Sequence, residues 1–153
     1  MFVTVGGDNT LRKFDIRDLT KSDILHDRDS EDPFVRVHWN GRNPHQIAMI
    51  SLFSSKILVY DFRNTFGVLE ELNYHSGRVN NIAWSPPSAY SQNLLCSIGQ
   101  HWKALIWNMN QDYSEMKPQL EYKASEELVN VAWTDLHWIA IAYKRRLHML
   151  QIS

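Results

Sequence analysis

An arginine stands two residues after an aspartate at two places, Asp15-Ile16-Arg17 and Asp61-Phe62-Arg63. A guanidinium so placed can pair with the neighbouring carboxylate or reach an acidic surface on a partner. The other chemically capable side chains are scattered. There are seven histidines and one cysteine, Cys96. His101, His137 and His148 fall in or beside expected loops and strands without metal-ligand spacing. No Gly-x-Ser-x-Gly segment occurs, and Gly6-Gly7-Asp8-Asn9 reads as a hairpin turn rather than a phosphate loop. Lys144-Arg145-Arg146 reads as a solvated turn, because three cations on a chain of net charge −1 make no nucleic-acid or membrane-binding field. No catalytic set, metal or cofactor is expected. What remains is binding, with proteins as partners.

Composition agrees. The chain has 153 residues, 44% hydrophobic and 22% charged, as in an ordinary globular domain. Six Trp, six Tyr and six Phe suit a densely packed scaffold or an interaction surface. A single cysteine allows no internal disulfide. No apolar run is long enough to cross a bilayer, and the first residues lack a signal-peptide pattern. A cytoplasmic and nuclear location is the natural expectation.

Two motifs repeat and position these residues. Phe34–Trp39, Val79–Trp84 and Leu128–Trp133 each read apolar, two variable positions, Val or Ile, one variable position, Trp; the tryptophans are 45 and 49 residues apart. Out of phase with them run Thr10–Asp15, Lys56–Asp61, Lys103–Asn108 and, more weakly, Arg146–Gln151, at spacings of 46, 47 and 43 residues. Short apolar runs fill the gaps: Phe2–Val5, Ile47–Ile50, Leu94–Ile98 and Trp138–Ile141. Less regular strands follow at Asp23–Leu25, Val68–Leu72 and Gln119–Tyr122. All are strand chemistry, and no helical period is sustained. Four strands in about 45 residues describe one blade of a β-propeller.

The expected fold is therefore all-β: two complete and two partial four-stranded blades, roughly 1–27, 33–73, 78–123 and 127–153. Naming strands a to d outward from the axis, their order is b-c-d, a-b-c-d, a-b-c-d, a-b-c. Known propellers close with roughly four to eight blades. Met1 directly before an inner-blade strand suggests a truncated start. Unpaired strand edges and open blade faces predict self-association of the segment alone. Lys21–Asp32 and Gln111–Lys117, polar and charged, read as rim loops. Trp102 falls in a turn, either exposed as a hot spot or folded over its hairpin.

Tyr60-Asp61, Phe14-Asp15 and the degenerate Trp107-Asn108 stand where WD-repeat proteins carry Trp-Asp. His75, Ser97 and Trp107 match three members of the buried His, Ser/Thr, Asp and Trp set of such repeats. The Asp place falls near Gln100-His101, which leaves the set one carboxylate short. The blocks Val5–Asp8, Phe14–Arg17, Asn80–Pro86, Ala104–Trp107 and Trp138–Tyr143, in this order, resemble the C-terminal half of the DDB-and-cullin-associated WD-repeat regulators typified by plant Transparent Testa Glabra. The resemblance implies a seven-bladed ring, with about half preceding Met1 and the last blade's outer strand supplied by the N-terminal part. It implies a non-enzymatic scaffold whose partners are DYRK-type kinases, transcription factors or a cullin ligase adaptor. It implies that Arg17 and Arg63 dock that adaptor; Asn110 takes their place in the third repeat. The alternatives are a reader of modified or acidic peptides, or a propeller enzyme.

Overall fold

A strand covered on both faces must be apolar at nearly every position, and such strands form the middle of the second and third sheets here. The computed structural model describes residues 1–27, 29–64, 68–87, 92–111 and 116–152. Among them are fourteen strands and no helix. Blade 1 is β1 (Phe2–Val5), β2 (Thr10–Asp15) and β3 (Asp18–Asp27). Blade 2 is β4 (Phe34–Trp39), β5 (Gln46–Ser51), β6 (Ile57–Asp61) and β7 (Val68–Leu72). Blade 3 is β8 (Val79–Trp84), β9 (Leu94–Gly99), β10 (Lys103–Asn108) and β11 (Leu120–Lys123). Blade 4 is β12 (Asn130–Trp133), β13 (Trp138–Tyr143) and β14 (Arg146–Gln151). Each sheet is an antiparallel meander of three or four strands in sequence order.

The period of two along a strand sends alternate side chains to opposite neighbours. In β5, Ala48 and Ile50 join the core between blades 2 and 3, while Ile47 and Met49 join the core between blades 1 and 2. In β10, Leu105 and Trp107 face blade 2, and Ala104 and Ile106 face blade 4. The result is three apolar layers between four blades, and β5 and β9 are buried at all six positions. Cys96 lies wholly inside one layer; burial pushes its thiol pKa well up and leaves it inert.

Hydrogen bonds cross these layers near the axis. The Trp84 indole N–H donates to the carbonyl of His38 in the preceding blade at 3.1 Å, and that of Trp133 donates to the Ala83 carbonyl at 2.9 Å. The repeating tryptophan is therefore an inter-blade fastener. Trp39 is the exception, donating to Pro44 O of its own loop at 3.0 Å. A carboxamide bridge joins Asn81 to Asn130. Farther out, the Tyr60 hydroxyl donates to Leu25 O at 2.8 Å, tying blade 2 to blade 1. Asn40, only 1% exposed, donates to Gln46 Oε1 at 3.2 Å and to Asn93 Oδ1 at 3.1 Å, which joins the first loops of blades 2 and 3.

Two sequence readings need correction. The strand read at Asp23–Leu25 is longer, running Asp18–Asp27 as β3 and pairing with β2 across two bulges, so Lys21–Asp27 is not part of a rim loop. An outer strand exposed along most of its length tolerates polar residues, so composition hid it. The inner strand of blade 4 starts at Asn130 rather than Leu128. The Gly6–Asn9 turn forms as read, with Asn9 in the left-handed region (φ 59°) and its N–H closing on Gly6 O at 3.0 Å. Of Gln111–Lys117, residues 112–115 lie outside the described residues.

Lys144-Arg145 is the two-residue turn between β13 and β14, with Tyr143 opposite Arg146. Gly99 is required for packing, since a Cβ there would meet Arg78 O at 2.8 Å and His75 Nδ1 at 3.1 Å. Gly99→Ala should lower stability by about 1–3 kcal/mol in urea unfolding, as overpacking does. Gly7→Ala, where nothing lies within 4 Å, should stay within about 0.5 kcal/mol. Equal effects would contradict the assigned close approach.

Candidate functional site

Each blade turns its loops to two faces. On one face the turn between the third and fourth strands meets the loop between the first and second: Phe62 N–H donates to His45 O at 2.8 Å, and Met109 N–H to Asn93 O at 2.8 Å. On this face stand the aspartate–arginine pairs. Asp61 Oδ1 accepts from the Arg63 backbone N–H at 2.9 Å and from Arg63 Nε at 3.0 Å, and Oδ2 accepts from Nη2 at 2.6 Å. The Asp61 side chain is 6% exposed and that of Arg63 is 62% exposed. Arg63 therefore neutralises a buried carboxylate, is held in one orientation by it, and presents itself to solvent. The hydrogen bonds from Arg63 hold the Asp61 carboxyl below its ordinary range against a smaller opposing effect of burial.

Asp15 and Arg17 repeat the arrangement in the open. Asp15 Oδ1 accepts from Arg17 N–H at 3.0 Å and from Nε at 2.9 Å, and Oδ2 pairs with Nη2. Both partners are exposed, so the pair adds little to stability. In the third repeat Asn108 Oδ1 accepts from Asn110 N–H at 3.1 Å. The turn persists there and the charge is gone. The face thus offers two oriented guanidiniums in adjacent blades, suited to an acidic protein surface.

The opposite face carries the turns between second and third strands and the loops between blades. Here His75, Ser97 and Trp107 come together in the layer between blades 2 and 3. Trp107 Nε1 donates to Ser97 Oγ at 2.8 Å, and His75 Nε2 lies 2.7 Å from the same oxygen. The missing carboxylate is replaced: His101 Nε2 lies 2.6 Å from His75 Nδ1, with the rings stacked at 4.6 Å. His101 Nδ1 accepts from Lys103 N–H at 3.1 Å. That bond fixes the direction of the chain. A neutral His101 must carry its proton on Nε2 and donate to His75, so His75 carries its proton on Nε2 and donates to Ser97. The set is closed by two neutral imidazoles rather than by an acid.

Burial, with His101 and Lys103 nearby, holds the His75 pKa down to about 3, and His101 is lowered too, mainly by burial. His75 is 4% exposed. Its role is structural.

Trp102 occupies the turn at φ 70° with 46% exposure, so it projects from this face. A bulky residue in that conformation is strained. Lys144 pairs with Glu126 at 2.5 Å, as befits a surface turn. His148 bonds to Tyr143 Oη through Nε2 at 2.9 Å, and its Nδ1 lies 3.2 Å from Tyr122 Oη. His137 accepts a place in a turn where Asp135 Oδ1 takes its backbone N–H at 2.7 Å. Among the described residues no group of three or more His, Cys, Asp or Glu is arranged to hold a metal.

Four antiparallel sheets with this strand order and this repeat define the chain as part of a WD-repeat β-propeller, and its sequence resembles those of WD-repeat proteins. It is similar to the DDB1- and CUL4-associated factor 7 homolog of Dictyostelium discoideum, with 33% identity over 155 residues, covering 99% of this chain and 47% of that protein. A WD repeat-containing protein of Saccharomyces cerevisiae is 28% identical over 133 residues, covering 76% of this chain and 25% of that one. A chain in the crystal structure of a mitotic checkpoint complex shares the fold, with TM-score 0.71, 18% identity, and coverage of 94% of this chain and 42% of that one. The chain spans less than half the length of each of these proteins. No family model matches it.

The His75 set predicts acid sensitivity. Between pH 6.5 and about 3 the unfolded chain takes up a proton that folded His75 refuses. Stability is therefore full above pH 6.5 and falls with acidification by up to ~1.4 kcal/mol per pH unit. Long-range ¹⁵N correlation spectra at about pH 8, above the ordinary histidine range, should show both rings neutral and protonated at Nε2. A charged ring, or an Nδ1–H tautomer of His75, would overturn the assigned direction.

Proposed function

We propose that this chain is part of a protein-interaction scaffold of the DDB1- and CUL4-associated type, in which Arg63 and Arg17 dock the adaptor of a cullin ubiquitin ligase. The observation that carries the reading is the Asp61–Arg63 pair: a buried carboxylate orients a guanidinium whose side chain stays 62% exposed. The similarity to a DDB1- and CUL4-associated factor 7 homolog supports it. The chemistry of the described face supports binding rather than turnover, so the protein is read as non-enzymatic. Further partners proposed on the family resemblance are a DYRK-type kinase and transcription-factor complexes, met in the cytoplasm and nucleus. The ring is proposed to have seven blades, of which this chain supplies four in whole or part.

The two arginines do not test the idea equally. Removing Arg63 leaves the buried Asp61 carboxylate unpaired, which costs stability. Arg17→Ala disturbs only an exposed pair and is the cleaner variant. Pull-down of purified adaptor should fall about tenfold for Arg17→Ala, and further for the double variant Arg17→Ala, Arg63→Ala, with the single variant melting like the parent. Undiminished adaptor capture by both variants would sink the docking role.

The open ends of the sheet stack carry a second expectation. Leu147 is 66% and Met149 46% exposed on the last strand, and Ile16, Leu19 and Ile24 are 66%, 62% and 52% exposed on the first blade. The 153-residue chain should sediment as dimers or larger species at micromolar concentration, by burial of these faces. A clean monomer in analytical ultracentrifugation would refute it.

A further inference from the structure

The inner strands bring two cations together on the face opposite Arg17 and Arg63. Asn80, the bulged residue of β8, holds both. Its backbone carbonyl accepts from Arg36 Nε of the preceding blade at 3.1 Å, and its side-chain Oδ1 accepts from Arg78 Nε at 3.1 Å. Its Nδ2 donates to Glu127 Oε1 at 2.9 Å and to Leu128 O at 2.7 Å, which fixes the carboxamide. A bulge re-aims a side chain in just this way.

Each guanidinium is tied through Nε, so its Nη groups are left to meet another acceptor. Arg78 Nη2 lies 3.7 Å from Glu127 Oε1, beyond hydrogen-bond reach. Arg36 makes no ion pair among the described residues. The cluster therefore has two positive charges against one negative. Arg36, Arg78, Asn80 and Glu127 line a cleft of about 260 Å³ with Leu52 and Val129 as apolar walls.

The repeat itself marks Arg36 as surplus to the fold. Its place in the inner-strand motif is held by Asn81 and Asn130 in the next two blades, and those two bond to each other across the layer. Arg36 joins no such bridge.

We propose that Arg36 and Arg78, gathered by Asn80 at one mouth of the propeller axis, bind a phosphorylated side chain of a protein partner. A carboxylate has two oxygens and is matched by one guanidinium fork. A phosphate monoester offers three acceptor oxygens and up to two charges, enough to engage both forks. The apolar walls receive the residues beside it. This site is independent of the adaptor-docking reading and lies on the other face.

The test is fluorescence anisotropy of the chain with a short labelled peptide bearing one phosphoserine, its unphosphorylated form and its glutamate form. The phosphopeptide should bind about tenfold tighter than either counterpart, and inorganic phosphate should compete. Arg36→Gln should lower phosphopeptide affinity about tenfold with an unchanged melting temperature, whereas Arg17→Ala should leave it unaltered. Equal affinity for the three peptides, an equally tight glutamate peptide, or full binding by Arg36→Gln would each overturn the proposal. Loss of phosphopeptide binding in Arg17→Ala would move the site to the adaptor face and overturn it as well.

Discussion

Everything else in this molecule depends on how one sheet leans on the next. A blade is apolar on both faces and cannot bury either one alone. Its stability comes from the layer it shares with its neighbour. The packing in these layers is non-directional, so something must fix the angle and height at which blades meet. The indoles of Trp84 and Trp133 do so near the axis, each donating to a carbonyl of the preceding blade. Those carbonyls belong to inner strands, and each bond ties one sheet to the next. A tryptophan is suited to the task because it supplies a large apolar area and one directional donor from the same side chain.

Polar groups then add specificity at increasing distance from the axis. The Asn81–Asn130 bridge works beside the tryptophans, Asn40 ties loops on one face, and the His75, His101, Ser97 and Trp107 chain ties loop to sheet on the other. Because each is satisfied, each stabilises one arrangement over its alternatives. The rigid frame so formed holds four guanidiniums in fixed places. Arg63 and Arg17 are held by their own aspartates at the edge of one face, and Arg36 and Arg78 by one asparagine at the axis of the other. The two faces can thus serve different acidic partners without competing.

The sheets were legible in the sequence because double burial makes unbroken apolar runs, and because two motifs repeat at nearly the same interval. Where burial is single or absent the signal fades. Only Asp23–Leu25 of β3 was read as strand for that reason, since ladder pairing rather than side-chain burial makes the rest of it a strand. The aspartate–arginine pairs were legible because both members are close in sequence. The fourth member of the histidine set was not, because residue type suggested a missing acid, whereas a second imidazole can serve once its Nδ1 is occupied by a backbone donor. The Asn80 clamp was invisible, as it joins residues from two blades through a backbone carbonyl and a bulge that no residue type announces.

The most direct measurement is amide hydrogen exchange in Trp84→Phe. This change keeps an aromatic ring but removes the donor to His38 O. If the indole couples blade 2 to blade 3, exchange should quicken together in β5 and β9, on both sides of the shared layer. Quickening confined to the strands of blade 3 would contradict the coupling and leave the tryptophan as packing alone.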